Sequence, residues 1–228
     1  IDRHDLVEHV RYGFDLAAGS WFYPGSIDYN SALQPYRYDP QRARDLLRAE
    51  GWQDTDGDGV LDKDAQAFAF NFLVPAGFVF YEQLVSLLQG DFAQAGLRMQ
   101  MERLEWSAFM ERLRKHDFDA CALLWQMTPD HDPQQIWHSS AILEGSNYIS
   151  FRDTEVDALL QKAHGSADPI ERQQLYRKFN QILYEQQPYA LLFYRYNLSV
   201  VSKRFAGIAS TPFGIFNYGE FFLQSHPE

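Results

Sequence analysis

The strongest constraint on the fold is an alternation of strand and helix patterns in the first half of the chain. Apolar side chains occupy every second position in segments 68–74 and 97–101, and residues 118–125 form a nearly continuous apolar run. Apolar positions at helical spacing lie between these segments, at 80–95 and 106–113. This order predicts right-handed crossovers and an α/β fold, with a largely parallel or mixed sheet flanked by helices.

A sheet of this kind also predicts where a ligand would bind. In open parallel sheets, ligands lie beyond the carboxyl ends of the strands, so the segments after Val74, Leu104 and Trp125 are expected to face a cleft. A large aromatic side chain is usually part of a core, but Trp125 stands at a strand end. We therefore expect Trp125 to contact a solute.

The rest of the chain carries helix signals with defined starts. Asp39, Asp153 and Asp168 each precede a helical pattern and are expected to cap it, and proline follows two of them directly. In the first of these helices, the buried face is expected to include Leu46. Two further strands are expected at 189–194 and 198–201.

Composition narrows the class of protein. The 228 residues are 46% hydrophobic and 16% aromatic, enough for a sizeable core, and the formal charge is −11 without a basic stripe. Because such a charge repels phosphate backbones, a nucleic-acid partner is not expected. No apolar run is long enough to span a membrane. The lone Cys121 is expected to be a small buried apolar residue.

Several short motifs, taken in order, resemble those of the extracytoplasmic solute-binding proteins that serve peptide, dipeptide and nickel ABC importers. None is specific by itself, but their order and spacing extend over nearly the whole chain. They are YDPQRA at 38–43 with GW at 51–52, DFDA at 117–120, Trp125 with DP at 132–133, IWHSS at 136–140, EVD at 155–157, the helix after Asp168, and PY at 188–189.

The resemblance implies a capture protein whose two lobes close on a peptide or other small solute and present it to the permease of an ABC transporter. It also implies that the chain is a C-terminal fragment, with the second lobe of a periplasmic-binding-protein-like fold at 1–202. Residues 203–228 would be a tail that returns to a missing N-terminal lobe. The expected location is periplasmic or otherwise extracytoplasmic, with an export signal or a membrane anchor in a missing N-terminal segment.

The resemblance further implies that an aspartate shortly after the tryptophan receives the ammonium group of a peptide. This sequence departs from that pattern, because Thr128 stands where direct counting places the aspartate. Asp130 takes over the role if the loop is shifted by its extra residue, and otherwise the solute lacks a free amine. Trp137 is expected to line the same cleft, with burial in the core as the alternative.

Residues 54–62, DTDGDGVLD, match the beginning of a calcium-binding loop. Carboxylates alternate along it, a glycine allows the sharp turn and an apolar residue follows. The predicted ligands of a weakly bound Ca²⁺ are Asp54, Asp56, Asp58, the carbonyl of Val60 and Asp62. The twelfth position is Ala65 rather than the bidentate glutamate of a full site, so a polar turn without metal is the alternative, and no other cofactor is expected.

Two other functions remain open at this point. A hydrolase would rely on the acid and imidazole groups around His131, that is Asp130, Asp132 and His138. No serine elbow, metal-binding helix motif or phosphate loop supports it, so the chain is not expected to be an enzyme. The second alternative is a sensor or scaffold module that contacts another protein.

Overall fold

The computed structural model describes residues 1–128, 131–211, 214–215 and 218–223. Eight α-helices lie in these ranges: α1 Arg3–Asp5, α2 Pro40–Ala49, α3 Val79–Gln94, α4 Trp106–Arg114, α5 Gln134–Trp137, α6 Ala141–Glu144, α7 Thr154–Gly165 and α8 Pro169–Gln186. A π-helical segment, Leu6–Val10, continues α1, and a 3₁₀ turn spans Tyr218–Glu220.

The strands in the described residues are short except for two. They are β1 Leu16–Ala17, β2 Asp62–Lys63, β3 Gln66–Ala67, β4 Ala69–Pro75, β5 Arg98–Leu104, β6 Ala120–Cys121, β7 Phe193–Tyr194, β8 Phe205–Ala206, β9 Ser210–Thr211, β10 Gly214–Ile215 and β11 Phe222–Leu223.

The predicted α/β arrangement is present. β4 lies between β5 and β6, and both pair with it in parallel. The other described strands form antiparallel two-stranded pairs, so the strand pairing as a whole is mixed. The prediction for residues 118–125 was too long, because only Ala120–Cys121 pair with β4 before the chain leaves the sheet.

Helices cover both faces of this sheet. Successive residues of β4 point in opposite directions, so this one strand packs against helices on both faces. Phe72 and Val74 pack with Leu84 and other apolar residues of α3, a cluster that we call the α3 core. Leu73 points the other way and packs with Phe109 and Leu113 of α4, the α4 core. Burial on both faces explains why β4 is nearly continuous in apolar residues toward its end.

A separate core holds the later helices together. In it, residues of α7 and α8 enclose two aromatic side chains from the irregular segment before α2. This helical core consists of Trp21, Phe22, Ile136, Trp137, Val156, Leu160, Ala163, Leu175, Tyr176, Phe179 and Leu183. The chain thus has a sheet unit and a helical unit that meet beside the carboxyl end of β6.

The predicted caps are present. Asp39 accepts a hydrogen bond from the backbone N–H of Arg42 at 2.8 Å, and the carboxylates of Asp153 and Asp168 accept from the first turns of α7 and α8. At the end of α3, Gly96 adopts φ +83°, and a Cβ there would lie 2.8 Å from Leu61 Cγ. The turn therefore requires glycine both for its backbone angle and for space.

Two other predictions about these elements were wrong. Leu46 does not belong to a buried face, because 58% of its surface is exposed and α2 contributes no buried residue. Residues 198–201 do not pair as a strand, and of the segment 189–194 only Phe193–Tyr194 does, antiparallel to Leu16–Ala17.

The boundary predicted between residues 202 and 203 stays a prediction. In the described part of 203–228, β8 pairs with β11 and β9 pairs with β10, both antiparallel.

Candidate functional site

The carboxyl ends of the three parallel strands lie at one edge of the sheet, which we call the carboxyl edge. The segments that leave it expose large apolar side chains. Phe78 follows β4, Trp106 follows β5 and Leu124 follows β6, and each exposes more than half of its surface. Exposed aromatic and aliphatic groups at a sheet edge of this type offer contact area to a ligand.

Trp125 lies at the junction between this edge and the helical unit. Its half-buried indole stacks on the ring of Tyr148, with centroids 6.2 Å apart and planes inclined by 16°. Trp125 packs against the helical core and Tyr148 against the α4 core. The stack therefore joins the two units of the fold, which gives Trp125 a structural role in addition to the predicted contact with a solute.

The groups behind Trp125 are not suited to acid–base or nucleophilic chemistry. A side-chain hydrogen bond links Trp125 to Tyr189, and burial raises the pKa of Tyr189 well above its ordinary value, with Cys121 and Tyr148 acting in the same direction. Burial also raises the pKa of the Cys121 thiol to about 12. Both groups are therefore neutral at physiological pH.

Two further residues were predicted to contact the solute, Thr128 and Asp130. Thr128 is exposed on the loop that leaves the sheet. Asp130 lies outside the described residues, so its role as the ammonium-binding carboxylate stays a prediction.

The prediction that Trp137 lines the cleft does not fit its position. Its side chain is 1% exposed, at the centre of the helical core. The ring of Trp21 lies at 5.0 Å in an edge-on arrangement, and Tyr189 lies at 4.5 Å on another side. Four aromatic neighbours enclose Trp137, so a solute does not reach it in this conformation.

The described members of the predicted acid–imidazole cluster do not converge. Asp132 accepts a hydrogen bond from the backbone of Gln134 at 2.9 Å and lies 2.7 Å from Nδ1 of His164. Burial lowers the pKa of His131, with Asp132 acting in the opposite direction. His138 instead lies beside Ser140, whose hydroxyl is 2.8 Å from Nδ1.

The loop at 54–62 brings part of the predicted calcium ligand set together. One ligand oxygen each from Asp54, Asp56 and Asp58 lies within 4.8 Å of the others, and all three residues are exposed. Asp62 is turned toward Thr55, whose backbone N–H lies 3.3 Å from its carboxylate. Arg98 occupies the second oxygen of Asp58 at 2.7 Å and would compete with a cation. The calcium site therefore stays a prediction.

Comparison with known proteins identifies the class to which this fold belongs. Residues 1–143 match the family described as bacterial extracellular solute-binding proteins, family 5 Middle. The chain belongs to this family.

The solute-binding relatives share both sequence and structure with the chain. The oligopeptide-binding protein AppA of Bacillus subtilis is 30% identical over 220 residues, which cover 93% of this chain and 40% of AppA. The heme-binding protein A of Haemophilus influenzae is 26% identical and covers 94% of this chain, which spans 38% of that protein. The chain therefore spans about two fifths of the length of these curated relatives.

Solved structures of the family agree with the fold described above. AppA from Bacillus subtilis in complex with a nonapeptide superposes with a TM-score of 0.84 at 28% identity, covering 99% of this chain and 46% of that chain. NikZ from Campylobacter jejuni in complex with Ni(L-His) superposes with a TM-score of 0.75 at 26% identity, over 85% of this chain and 39% of that chain. In the part of the chain that the structure describes, no helix is long and apolar enough to cross a membrane.

Sequence reasoning missed Tyr148 as a partner of Trp125. The two residues are 23 positions apart, and no periodic pattern links them because Tyr148 lies in an irregular segment after α6. The only available signal was the presence of a tyrosine in a short loop between two helices, which does not specify a contact.

Proposed function

We propose that this chain forms one lobe of a binding protein that captures a peptide or related small solute outside the cytoplasm and delivers it to the permease of an ABC importer. The observation that carries the proposal is the apolar carboxyl edge beside the Trp125–Tyr148 stack, in a chain of the solute-binding family. Peptide is favoured as the solute because AppA was solved with a nonapeptide and the dipeptide-binding protein of Pseudoalteromonas with Met-Leu.

In this proposal the chain supplies half of a cleft, and an N-terminal lobe of the same protein supplies the other half. Trp125 would cover one side of the solute, while the exposed rings of Phe78 and Trp106 extend the apolar wall. Thr128 would offer a hydroxyl to the peptide backbone, and Asp130 would receive an ammonium group where the solute has one. Closure of two lobes removes this apolar surface from water, which drives binding.

The proposed activity is binding without turnover. The apolar surroundings of Cys121 and Tyr189 keep both groups protonated, and the described residues around His131 do not bring a nucleophile to its ring. The proposed location is periplasmic or otherwise extracytoplasmic, with anchoring through an N-terminal segment. Hydrolysis of a peptide that disappears in His131→Ala would overturn this part of the proposal.

The proposal is tested by titrating the full-length protein, in which this lobe has its partner, with a library of short peptides. Calorimetry and tryptophan fluorescence should report binding of at least one peptide at micromolar concentration, and Trp125→Ala should weaken it strongly. Trp52→Phe is the matched control, because Trp52 packs on Phe68 with centroids 4.5 Å apart, away from the carboxyl edge. If no peptide in the library produces either heat of binding or a change in tryptophan fluorescence, the proposal is refuted.

A further inference from the structure

Glu105 is the first residue after β5, at the carboxyl edge, and it is exposed. The carbonyl of the preceding residue, Leu104, accepts a hydrogen bond from the backbone N–H of Ala76 at 2.8 Å. The segments that follow β4 and β5 therefore leave the edge side by side. The segment after β4 brings Ala76, Gly77 and Phe78, none of which is charged. Glu105 thus places a carboxylate among the apolar groups of this edge.

The carboxylate of Glu105 has no ion-pair or hydrogen-bond partner among the residues that the structure describes. Glu105 stands at the N-cap of α4, but its side chain accepts no hydrogen bond from the first turn. Only its backbone carbonyl takes part in the helix, by accepting from the N–H of Phe109 at 2.9 Å. The charge is therefore available to a ligand.

The other charged groups near this end of the sheet are paired with each other. Arg103 donates through Nε and Nη2 to the two carboxylate oxygens of Glu82, at 2.6 and 2.5 Å. Arg11 lies over the ring of Phe80, in the first turn of α3, and pairs with the buried carboxylate of Asp15. In the described segments that leave the three parallel strands, the unpaired charge is therefore a single negative one.

Trp106, the next residue along the chain, presents an aromatic face beside this charge. Its indole stacks on the ring of Phe109, with centroids 5.8 Å apart and planes inclined by 29°. Phe109 is completely buried, whereas Trp106 exposes 54% of its surface. Because Phe109 holds one face of the indole, the opposite face is on the solvent side. The electron-rich face of an indole attracts cations.

We propose that Glu105 and Trp106 select a solute with a cationic side chain, that is a peptide in which lysine or arginine stands among apolar residues. The carboxylate supplies the opposite charge and a hydrogen-bond acceptor, and the indole face supplies a cation–π contact. An acidic side chain at the same place is repelled. The formal charge of −11 acts in the same direction over longer distances. The proposal rests on the proposed function and names its substrate class.

A purely structural role of Glu105 predicts a different behaviour. An acidic residue at the start of a helix stabilises the helix through its dipole. That effect changes the stability of the lobe, but it does not depend on which side chain the solute carries. The ratio of affinities for two solutes that differ in one charge therefore separates the two roles.

The experiment titrates the full-length protein, in which this lobe has its partner, with matched short peptides of alanine and leucine. Each set carries lysine, norleucine or glutamate at one position, and the position moves along the peptide from set to set. All peptides keep their terminal charges, so these cancel in the comparison. Calorimetry should give, for at least one position, an affinity about three- to tenfold higher for lysine than for norleucine, and the lowest for glutamate.

Glu105→Gln should bring the ratio of lysine to norleucine affinity close to one, because it removes the charge and keeps the shape of the side chain. Trp106→Leu, which keeps an apolar group without an aromatic face, should lower the ratio in part. Glu155→Gln is the matched control and should keep the ratio. It makes the same change in net charge at the start of another helix, α7, where Glu155 is exposed.

The outcomes separate this proposal from the proposed function. Binding of the peptides without a preference for lysine at any position would overturn the proposal and leave the proposed function standing. A lysine preference that persists in Glu105→Gln would also overturn it, because another carboxylate would then be responsible. If Glu105→Gln does not fold, Glu105→Ser takes its place, since serine is a favoured N-cap residue without charge. Absence of binding by every peptide would refute the proposed function, and this proposal with it.

Discussion

Asn180 accepts a hydrogen bond from the backbone N–H of Trp21 at 3.0 Å, although the two residues lie 159 positions apart. The same amide oxygen accepts from the hydroxyl of Ser20 at 3.2 Å, and the amide nitrogen donates to the carbonyl of Tyr176 at 2.9 Å. Asn180 is 1% exposed. One buried amide thus attaches the irregular segment before α2 to α8 and sets the position of Trp21 in the helical core.

Replacing Asn180 by alanine is expected to lower the free energy of unfolding by about 2–3 kcal/mol, because it leaves buried donors without a partner. Urea denaturation followed by circular dichroism measures the change. Asn197→Ala is the control, since Asn197 is exposed, and it should alter stability by less than about 0.5 kcal/mol. Equal stability of the two variants would contradict the role of Asn180.

Trp137 and Trp125 are expected to respond in opposite ways to substitution. Trp137→Phe removes part of a ring that is 1% exposed and should cost about 1–3 kcal/mol of stability, with peptide affinity unchanged at temperatures where the protein is folded. Trp125→Ala should reduce peptide affinity at least about tenfold, with the smaller loss of stability expected of a half-buried side chain. Calorimetric titration of the full-length protein and urea denaturation separate the two effects. A folded Trp137→Phe protein that no longer binds would return Trp137 to the site.

The loop at 54–62 gives a direct test for calcium. If its carboxylates hold Ca²⁺, millimolar CaCl₂ should raise the melting temperature, since an ion at about ten times its Kd adds about 1.4 kcal/mol to the stability of the folded state. Asp56→Asn should abolish the increase. Asp64→Asn is the control, because Asp64 is exposed next to the loop and its φ of +53° suits asparagine. An unchanged melting temperature in the wild type would show that the loop is a polar turn.

Asp153 predicts a pH dependence of stability. Its Oδ1 accepts from the backbone N–H groups of Val156 at 3.0 Å and Glu155 at 2.9 Å. The bond from Val156 holds the pKa of Asp153 below its ordinary value, and the side chain of Gln186 acts in the same direction, against the smaller opposing effect of burial. A carboxyl group with a lowered folded-state pKa stabilises the protein above its ordinary pKa, and this contribution is lost as the pH falls through the folded-state value.

Asp153→Ala should therefore cost about 1 kcal/mol at neutral pH, and the difference from the wild type should shrink below about pH 4. Urea denaturation at a series of pH values from neutral to about pH 3 measures it. Thr154→Ala, at an exposed neighbouring position, should show no such pH dependence. A difference that stays constant down to the lowest pH would mean that the carboxylate charge does not contribute to the cap.

Local features of the fold could be predicted well from the sequence. The caps at Asp39, Asp153 and Asp168 and the left-handed turn at Gly96 depend on bonds within one turn of the chain. The order of β4, α3, β5, α4 and β6 follows from periodicity, and with it the carboxyl edge where Trp125 stands. These features need no knowledge of distant residues, because backbone groups at helix ends are satisfied by neighbours in sequence.

Predictions failed where burial or pairing depends on distant parts of the chain. Leu46 occupies the apolar face of an amphipathic helix, yet 58% of its surface is exposed. The apolar run after Phe118 pairs with β4 only at Ala120 and Cys121, because the chain then turns away to carry Trp125 to the helical unit. An apolar run specifies that it will be buried somewhere, but not against what.

The sequence by itself determined the α/β class, the helix starts and the position of Trp125 after the third strand of the sheet. Only the tertiary structure decided that Trp137 is enclosed in a core and that Trp125 stacks on Tyr148. The physical reason is range. Hydrogen bonds within a turn and apolar periodicity are encoded in adjacent residues, whereas these contacts join side chains brought together only when the sheet unit and the helical unit pack on each other.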